Sequence, residues 1–171
     1  MKYKFADITV KKDDVYLKVR KHSSYIGGKD VYNVSAESYD RISAAEEDSI
    51  MLDELWERVL PSLSSVLQRY MSGPGKAEKG EGSVTYHLTL PLAFRRSTNI
   101  PVLTSACTEY MTNAMLVEWL KTTNADDDAK RMAETAAGNI IEIKDILARR
   151  DMPMRFMTSE EPIDKVIITV D

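Results

Sequence analysis

The sequence lacks several features that would place it in a familiar class. It has one cysteine among 171 residues. Cys107 cannot form an internal disulfide, which favours a reducing compartment. No run of 18 apolar residues occurs, so no membrane-spanning helix is expected. The first residues, MKYKFADITVKKDD, contain no apolar stretch of the kind that signal peptides need, so no signal peptide is expected.

Sequence motifs that carry chemistry are also missing. The only histidines, His22 and His87, do not form an H-x-x-x-H or H-E-x-x-H pattern. Ser62 and its neighbouring serines lack a G-x-S-x-G context. Neither Gly27-Gly28 nor the glycines of 73–82 match a phosphate-binding loop or a dinucleotide fingerprint. We therefore predict no catalytic, cofactor-binding or metal-binding residues.

Two residue groups nevertheless deserve a structural test. Asp126-Asp127-Asp128 resembles a metal cluster, but consecutive helical residues point in different directions, so we interpret it as negative charge at a helix N-terminus. An enzymatic site would have to gather Tyr25, His87 and Cys107. Cys107 lies on an apolar helical stripe, where we expect a buried, inert thiol. No pattern brings the three together, and we expect no enzymatic activity.

Charge is distributed unevenly along the chain. Residues 1–29 carry a formal charge of +5 and residues 30–171 carry −9. A basic arm on an acidic body could dock on a neighbouring copy, could face nucleic acid, or could be a solvated surface without a partner. The sequence leaves these alternatives open.

The most strongly patterned segment is Ser43–Met71. Ser43 and Glu46 have the spacing of a capping box, and apolar residues then recur every three or four positions. Pro61 interrupts the segment, but the apolar stripe continues in register beyond it, which favours a kink over a break. We expect this helix to organise the core.

Further helices are predicted on both sides of it. A short N-terminal helix spans Lys12–His22 and ends near Gly27-Gly28. A helix over 101–122 begins with Asn99 as its N-cap, and a helix over 126–150 is capped by Asn124 and ends with two arginines. The short turn between the last two predicts an antiparallel hairpin that packs with 43–71 as a bundle.

The remaining segments predict a small sheet. Residues 73–83 are rich in glycine and charge and should form a flexible loop. Residues 84–92 alternate apolar and polar side chains, as in a half-buried strand. The best partner for an antiparallel pair is 165–170, and Lys4–Val10 is a third candidate strand. The expected fold is thus a single α+β domain over 1–171, mostly α.

A family resemblance supplies the functional expectation. Val15-Tyr16, Ser24-Tyr25-Ile26-Gly27, Tyr39-Asp40-Arg41-Ile42, Glu46-Glu47-Asp48 and Leu55-Trp56 occur in the order seen in small structural proteins of tailed-phage and prophage morphogenesis modules. The similarity covers about residues 8–60. The order of helix, strand and helical hairpin also resembles head–tail connector or adaptor subunits.

The resemblance implies a non-enzymatic virion protein that assembles with copies of itself and with other virion proteins. It would be found in the cytoplasm of the bacterial host or in the virion, without contact to a membrane. The alternative is a small monomeric module that binds a protein or a nucleic acid. Nine methionines, with Met152, Met154 and Met157 beyond the predicted helices, are equally compatible with subunit contacts and with core packing.

Overall fold

A computed structural model describes residues 3–30, 42–71, 77–91 and 96–149. Within these ranges the chain is α+β and mostly helical. The elements in chain order are β1 (Tyr3–Lys11), α1 (Lys12–Asp30), α2 (Ser49–Leu67), a 3₁₀ turn (Gln68–Tyr70), β2 (Ala77–Lys79), β3 (Ser83–Pro91), α3 (Arg96–Thr122) and α4 (Asp126–Ala148).

The three strands form an antiparallel sheet in the order β1-β3-β2. β1 pairs with β3 along its whole length, from Tyr3 opposite Pro91 to Lys11 opposite Ser83. Alternate residues point to opposite faces of a strand, and here the alternation separates core from solvent. The inward set is buried and apolar: Ala6, Ile8, Val10, Val84, Tyr86, Leu88 and Leu90.

The sheet corrects part of the sequence prediction. The third candidate strand, Lys4–Val10, is the partner of β3 along one edge. The other edge is taken by β2 and by a bridge from Met71 to Leu88. The proposed partner 165–170 lies outside the described residues. Three residues of the predicted loop 73–83 form β2, because the Glu81-Gly82 turn lets the Gly80 amide donate to the Ser83 carbonyl at 2.8 Å.

The start of α2 was predicted wrongly. The helix begins at Ser49 rather than Ser43, and no side chain caps it. Ser43 instead contacts Ser24, with 2.7 Å between their hydroxyl oxygens. The neighbouring Ala44 amide donates to Ser23 Oγ at 3.0 Å. The first contact uses the Ser43 hydroxyl that the capping box would have needed, so tertiary packing overrides the local signal.

Pro61 does not end the helix. α2 continues through it to Leu67, which excludes a break into two helices. The apolar stripe is buried on both sides of the proline, as the periodicity predicted. Its buried members are Leu52, Leu55, Trp56, Val59, Leu60, Leu63 and Leu67.

α1 is longer than predicted. It extends past His22 and through Gly27-Gly28 to Asp30. Ile26 is 8% exposed and belongs to the core. Burial of this extra turn compensates for the low helix propensity of the two glycines, which is why the expected stop is not used.

The turn between α3 and α4 differs from the prediction in its caps. Asn124 does not cap α4, whose N-cap is Ala125. Asn124 has a positive φ of 59° and terminates α3, while the Ala125 amide donates to the Leu120 carbonyl at 2.9 Å. This left-handed ending is a geometry that asparagine tolerates. α3 also begins at Arg96, so Asn99 lies inside the helix rather than at its N-cap.

α4 ends at Ala148, two residues before the predicted end. Arg149 follows as the C-cap and lies outside the helix, and Arg150 lies outside the described residues. Arg149 therefore does not occupy the last turn of α4.

α3 is the element around which the described fold is built. It packs against α4, α1, α2 and β1. Its Leu103, Cys107, Met111, Met115 and Leu120 are fully buried. α2, which we expected to have this role, contributes one wall of the same core. None of the described helices combines the length and the apolar character that crossing a bilayer requires.

Candidate functional site

The residues that an enzyme would have to gather lie apart in the structure. Cys107 is fully buried and close to Tyr86 on the inner face of the sheet. His87, the next residue along β3, points to the outer face. Tyr25 is 67% exposed near the end of α1. The sheet thus separates the thiol from the imidazole.

Burial makes the Cys107 thiol inert at neutral pH. Desolvation raises its pKa to about 12, because the thiolate would lose its hydration. The same cause raises the pKa of Tyr86 to about 12, although a hydrogen bond with Ser64 opposes the shift. These groups behave as core side chains, as the position of Cys107 on the apolar stripe predicted.

His87 lies between two carboxylates on the outer face of the sheet. Its Nδ1 is 2.8 Å from Asp7 Oδ1, and its Nε2 is 3.5 Å from Glu78 Oε1. The Asp7 hydrogen bond is the main reason why the His87 pKa is raised. When the imidazole is protonated, these contacts form a cross-strand ion pair that joins β1, β3 and β2. The sequence placed His87 on the polar face but did not reveal its partners.

The Asp126–Asp128 group occupies the first turn of α4. Asp127 lies 3.7 Å from Lys130, and Asp128 pairs with Arg131. These are contacts within one helical turn, consistent with negative charge at the positive end of the helix dipole. Across the described residues, no three side chains of the metal-binding types converge.

A partly buried polar network that sequence reasoning missed joins α1 to α2. The Tyr16 hydroxyl donates to Asp53 Oδ1 at 2.5 Å, and Lys12 Nζ is 2.7 Å from the same oxygen. Hydrogen bonds from Lys12 and Tyr16 lower the pKa of Asp53. Tyr16 also packs edge-to-face on Trp56, with 6.3 Å between ring centroids. The residues are 37 or more positions apart, so only tertiary structure reveals the network.

A groove lies between α2 and α4, with α3 as its floor. We call it the interhelix groove, and its volume is about 410 Å³. α2 contributes Val59 and Ser62, α3 contributes Ala114 and Val117, and α4 contributes a row of small or apolar residues. The α4 residues are Ala133, Ala136, Ala137 and Ile140.

The rim of the interhelix groove is polar at one point. Glu118 lies 2.8 Å from Lys121 and 3.5 Å from Arg58, and both cations lower its pKa, Lys121 more strongly. At the floor, the Tyr110 hydroxyl shares a hydrogen bond with Ser62, while burial raises its pKa. The groove offers an apolar floor and one charged rim, an arrangement that suits the burial of a partner's apolar side chains.

Small residues make this groove possible. α4 carries Ala133 and Ala137 in the lining of the groove, and both are exposed. Ile141, one turn further on, is 62% exposed. These three residues are spaced by four positions and form an apolar stripe that begins in the groove and continues beyond it. Helical periodicity could have identified the stripe, but the apolar residues on the core face of α4 gave a stronger periodic pattern.

Comparison with protein-family models, with curated proteins and with solved structures found no match to this chain. The functional argument therefore depends on the geometry and on the residues themselves.

Proposed function

We propose that this protein is a non-enzymatic structural protein that assembles with copies of itself, and that it belongs to a phage or prophage virion as a head–tail connector-like subunit. The observation that carries the assembly proposal is the interhelix groove and the exposed stripe Ala133, Ala137 and Ile141, which begins in it and continues beyond it. The virion assignment is supported by the resemblance of residues 8–60.

The physical reason is the cost of leaving apolar surface in water. Each square ångström of apolar surface removed from water contributes about 25 cal/mol. Side chains of a second copy that enter the groove would bury Ile140 together with the stripe. Apolar surface bordered by polar side chains is the usual composition of a subunit contact. The occupant that we propose is therefore a second copy of this chain.

Light scattering coupled to size exclusion tests the assembly proposal over a wide range of protein concentration. We expect a concentration-dependent oligomer. Ala137→Glu and Ile141→Glu should each shift the equilibrium toward monomer, because a carboxylate would be desolvated in the contact. Val102→Glu is the control, since Val102 is 39% exposed on α3 and neither lines the groove nor adjoins the acidic segment before α2.

A clean monomer at high concentration would contradict the assembly proposal. Equal effects of Val102→Glu and Ile141→Glu would contradict the choice of surface. The virion assignment has its own test, which is the coding context: genes for portal or tail proteins next to this gene are expected. Negative-stain images should then show rings.

A second contact is proposed for the acidic segment Glu46-Glu47-Asp48. Glu46 and Glu47 are exposed just before α2, while Asp48 accepts a hydrogen bond from the Ala45 amide at 2.7 Å. The two exposed carboxylates remain available to the basic N-terminal segment of a neighbouring copy. Reversing both charges should weaken assembly at low salt, and unchanged assembly would exclude this contact.

The nucleic-acid alternative has less support from charge than the sequence indicated. Lys12 pairs with Asp53 and Lys18 pairs with Glu109, so two of the eight basic residues of 1–29 are already neutralised within the chain. Titration of labelled duplex DNA at low and high salt decides the question. Binding that weakens steeply with salt would favour this alternative, and absence of binding at low salt would exclude it.

A further inference from the structure

β1 is an edge strand whose outer side has no partner among the described residues. β3 is the central strand and is paired on both sides, by β1 and by β2. The β1–β3 register is continuous over nine residues, without a bulge, and β1 contains no proline. Such an edge is a template for one more strand.

The pairing pattern identifies the free backbone groups. The Lys12 amide donates to the Gly82 carbonyl at 2.9 Å, which continues the β1–β3 ladder by one pair. In an antiparallel ladder, alternate residues direct their amide and carbonyl groups to the same neighbour. The even-numbered residues of β1 thus face β3, and Phe5, Asp7 and Thr9 direct theirs to the open edge. No described backbone group outside the ladder bonds to these three.

The chain itself contains a segment with the required pattern. Lys165–Val170, KVIITV, consists almost entirely of β-branched residues. Val166, Ile168 and Val170 alternate with Lys165, Ile167 and Thr169, which matches the inward and outward faces of β1. β3 cannot accept this segment along its length because both of its sides are paired.

The connection is long enough to reach. α4 ends at Ala148, and as the second helix of an antiparallel hairpin it ends near the start of α3. Only four residues separate the end of β3 from the start of α3, and the last residue of β3 pairs with the first residue of β1. Residues 150–164 can span about 50 Å when extended.

We propose that Lys165–Val170 of the same chain pairs with the free edge of β1 and extends the sheet to four strands. The proposal does not depend on self-assembly, because the occupant belongs to the chain itself. It predicts that the C-terminal segment closes the one long sheet edge of the described fold.

Residue-resolved amide exchange of the full chain by NMR tests the proposal. We expect the amides of Phe5, Asp7 and Thr9 to be protected. Ile167→Pro removes one amide donor and disrupts the proposed strand pairing with β1. Amide exchange at Phe5, Asp7 and Thr9 should therefore become at least about tenfold faster. The amides of Ala6, Ile8 and Val10, which bond to β3, should not change. Glu160→Pro, outside the segment, is the matched control and should leave both sets unchanged.

Fast exchange of Phe5, Asp7 and Thr9 in the unaltered chain would overturn the proposal. A second measurement is independent of proline effects. Thr9→Cys is combined in turn with Lys165→Cys, Ile167→Cys and Thr169→Cys, and disulfides are formed at low protein concentration. At least one pair should cross-link within one chain. Absence of a cross-link in all three, or cross-links only between chains, would overturn the proposal.

Discussion

The Tyr16 hydroxyl donates a 2.5 Å hydrogen bond to Asp53, and this contact links α1 to α2 across 37 residues of sequence. Tyr16 is only 8% exposed, whereas the Asp53 side chain is 54% exposed. The bond therefore combines a buried donor with an acceptor that water partly screens. Its contribution to stability should be smaller than that of a fully buried charged hydrogen bond.

Tyr16→Phe should destabilise the protein by about 1 kcal/mol, since hydrogen bonds to charged groups contribute about 1.5–3 kcal/mol and exposure of the acceptor reduces this. Urea unfolding measures the change, which corresponds to about 3 °C in Tm for a chain of this size. Tyr70→Phe is the control, because no described residue bonds to its hydroxyl. Equal losses from the two variants would contradict the assigned role of Tyr16.

The contribution of His87 should depend on pH. Its pKa is raised by Asp7 first and by Glu78 to a smaller extent. A raised folded-state pKa means that the stabilisation is complete below about pH 6.5, the unfolded value, and is lost as pH rises through the folded pKa.

The difference in urea midpoint between the unaltered protein and His87→Gln should therefore be larger at pH 5.5 than at pH 8.5. NMR titration of the imidazole gives the pKa directly. Asp7→Asn should lower it, because this substitution removes the largest cause of the shift. A pKa that does not respond to Asp7→Asn would show that the ion pair is not formed in solution.

Cys107 should react with thiol reagents only when the protein unfolds. A pKa of about 12 leaves about one thiol in ten thousand ionised at pH 8, and the side chain is fully buried. The rate of labelling by a disulfide reagent should follow the unfolding rate and should level off with reagent concentration. Rapid labelling of the native protein, in proportion to reagent concentration, would show that the thiol is accessible.

Pro61→Ala tests whether the proline imposes a cost. Pro61 lies in the interior of α2 and is exposed. A proline inside a helix costs about 3 kcal/mol through its missing amide and its clash with the preceding turn. We expect Pro61→Ala to stabilise the protein by up to about that amount. A loss of stability would mean that the packing of Leu60 and Leu63 depends on a bend at Pro61.

Helical periodicity predicted the core well because the apolar stripes are long. The buried residues of α2 on either side of Pro61, and Leu103, Cys107 and Leu120 of α3, are the residues that the stripes selected. Each stripe reflects many side chains that face one direction, so a single unfavourable residue does not disturb it. The α+β class follows from the same patterns.

Element ends and sheet partners were predicted less well because they depend on one or two contacts. Ser43 has capping spacing, but its hydroxyl contacts Ser24 on α1. Asn124 lies between two helices, so the sequence allowed it either to end α3 or to cap α4. Its left-handed backbone conformation shows that it ends α3. Lys4–Val10 showed imperfect alternation because Phe5, 67% exposed, stands on the solvent side of β1.

The polar contacts of the candidate site were outside the reach of sequence patterns. Asp7 and His87 are 80 residues apart and meet only because the β1–β3 register places them opposite each other. The interhelix groove likewise depends on where α2 and α4 lie on α3. Neither position is encoded in local periodicity.

The pairing of β1 with β3 has a consequence for synthesis on the ribosome. β1 is translated first, but its ladder partner follows about 80 residues later. At a translation rate of about 5–20 residues per second, roughly 4–16 s pass between the synthesis of β1 and that of β3. Tyr16, Asp53 and Trp56 are all translated earlier than β3, so the α1–α2 contact can precede the sheet. During this interval the apolar residues Ile8 and Val10 have no strand to pair with, and this is the period when a chaperone would recognise the nascent chain.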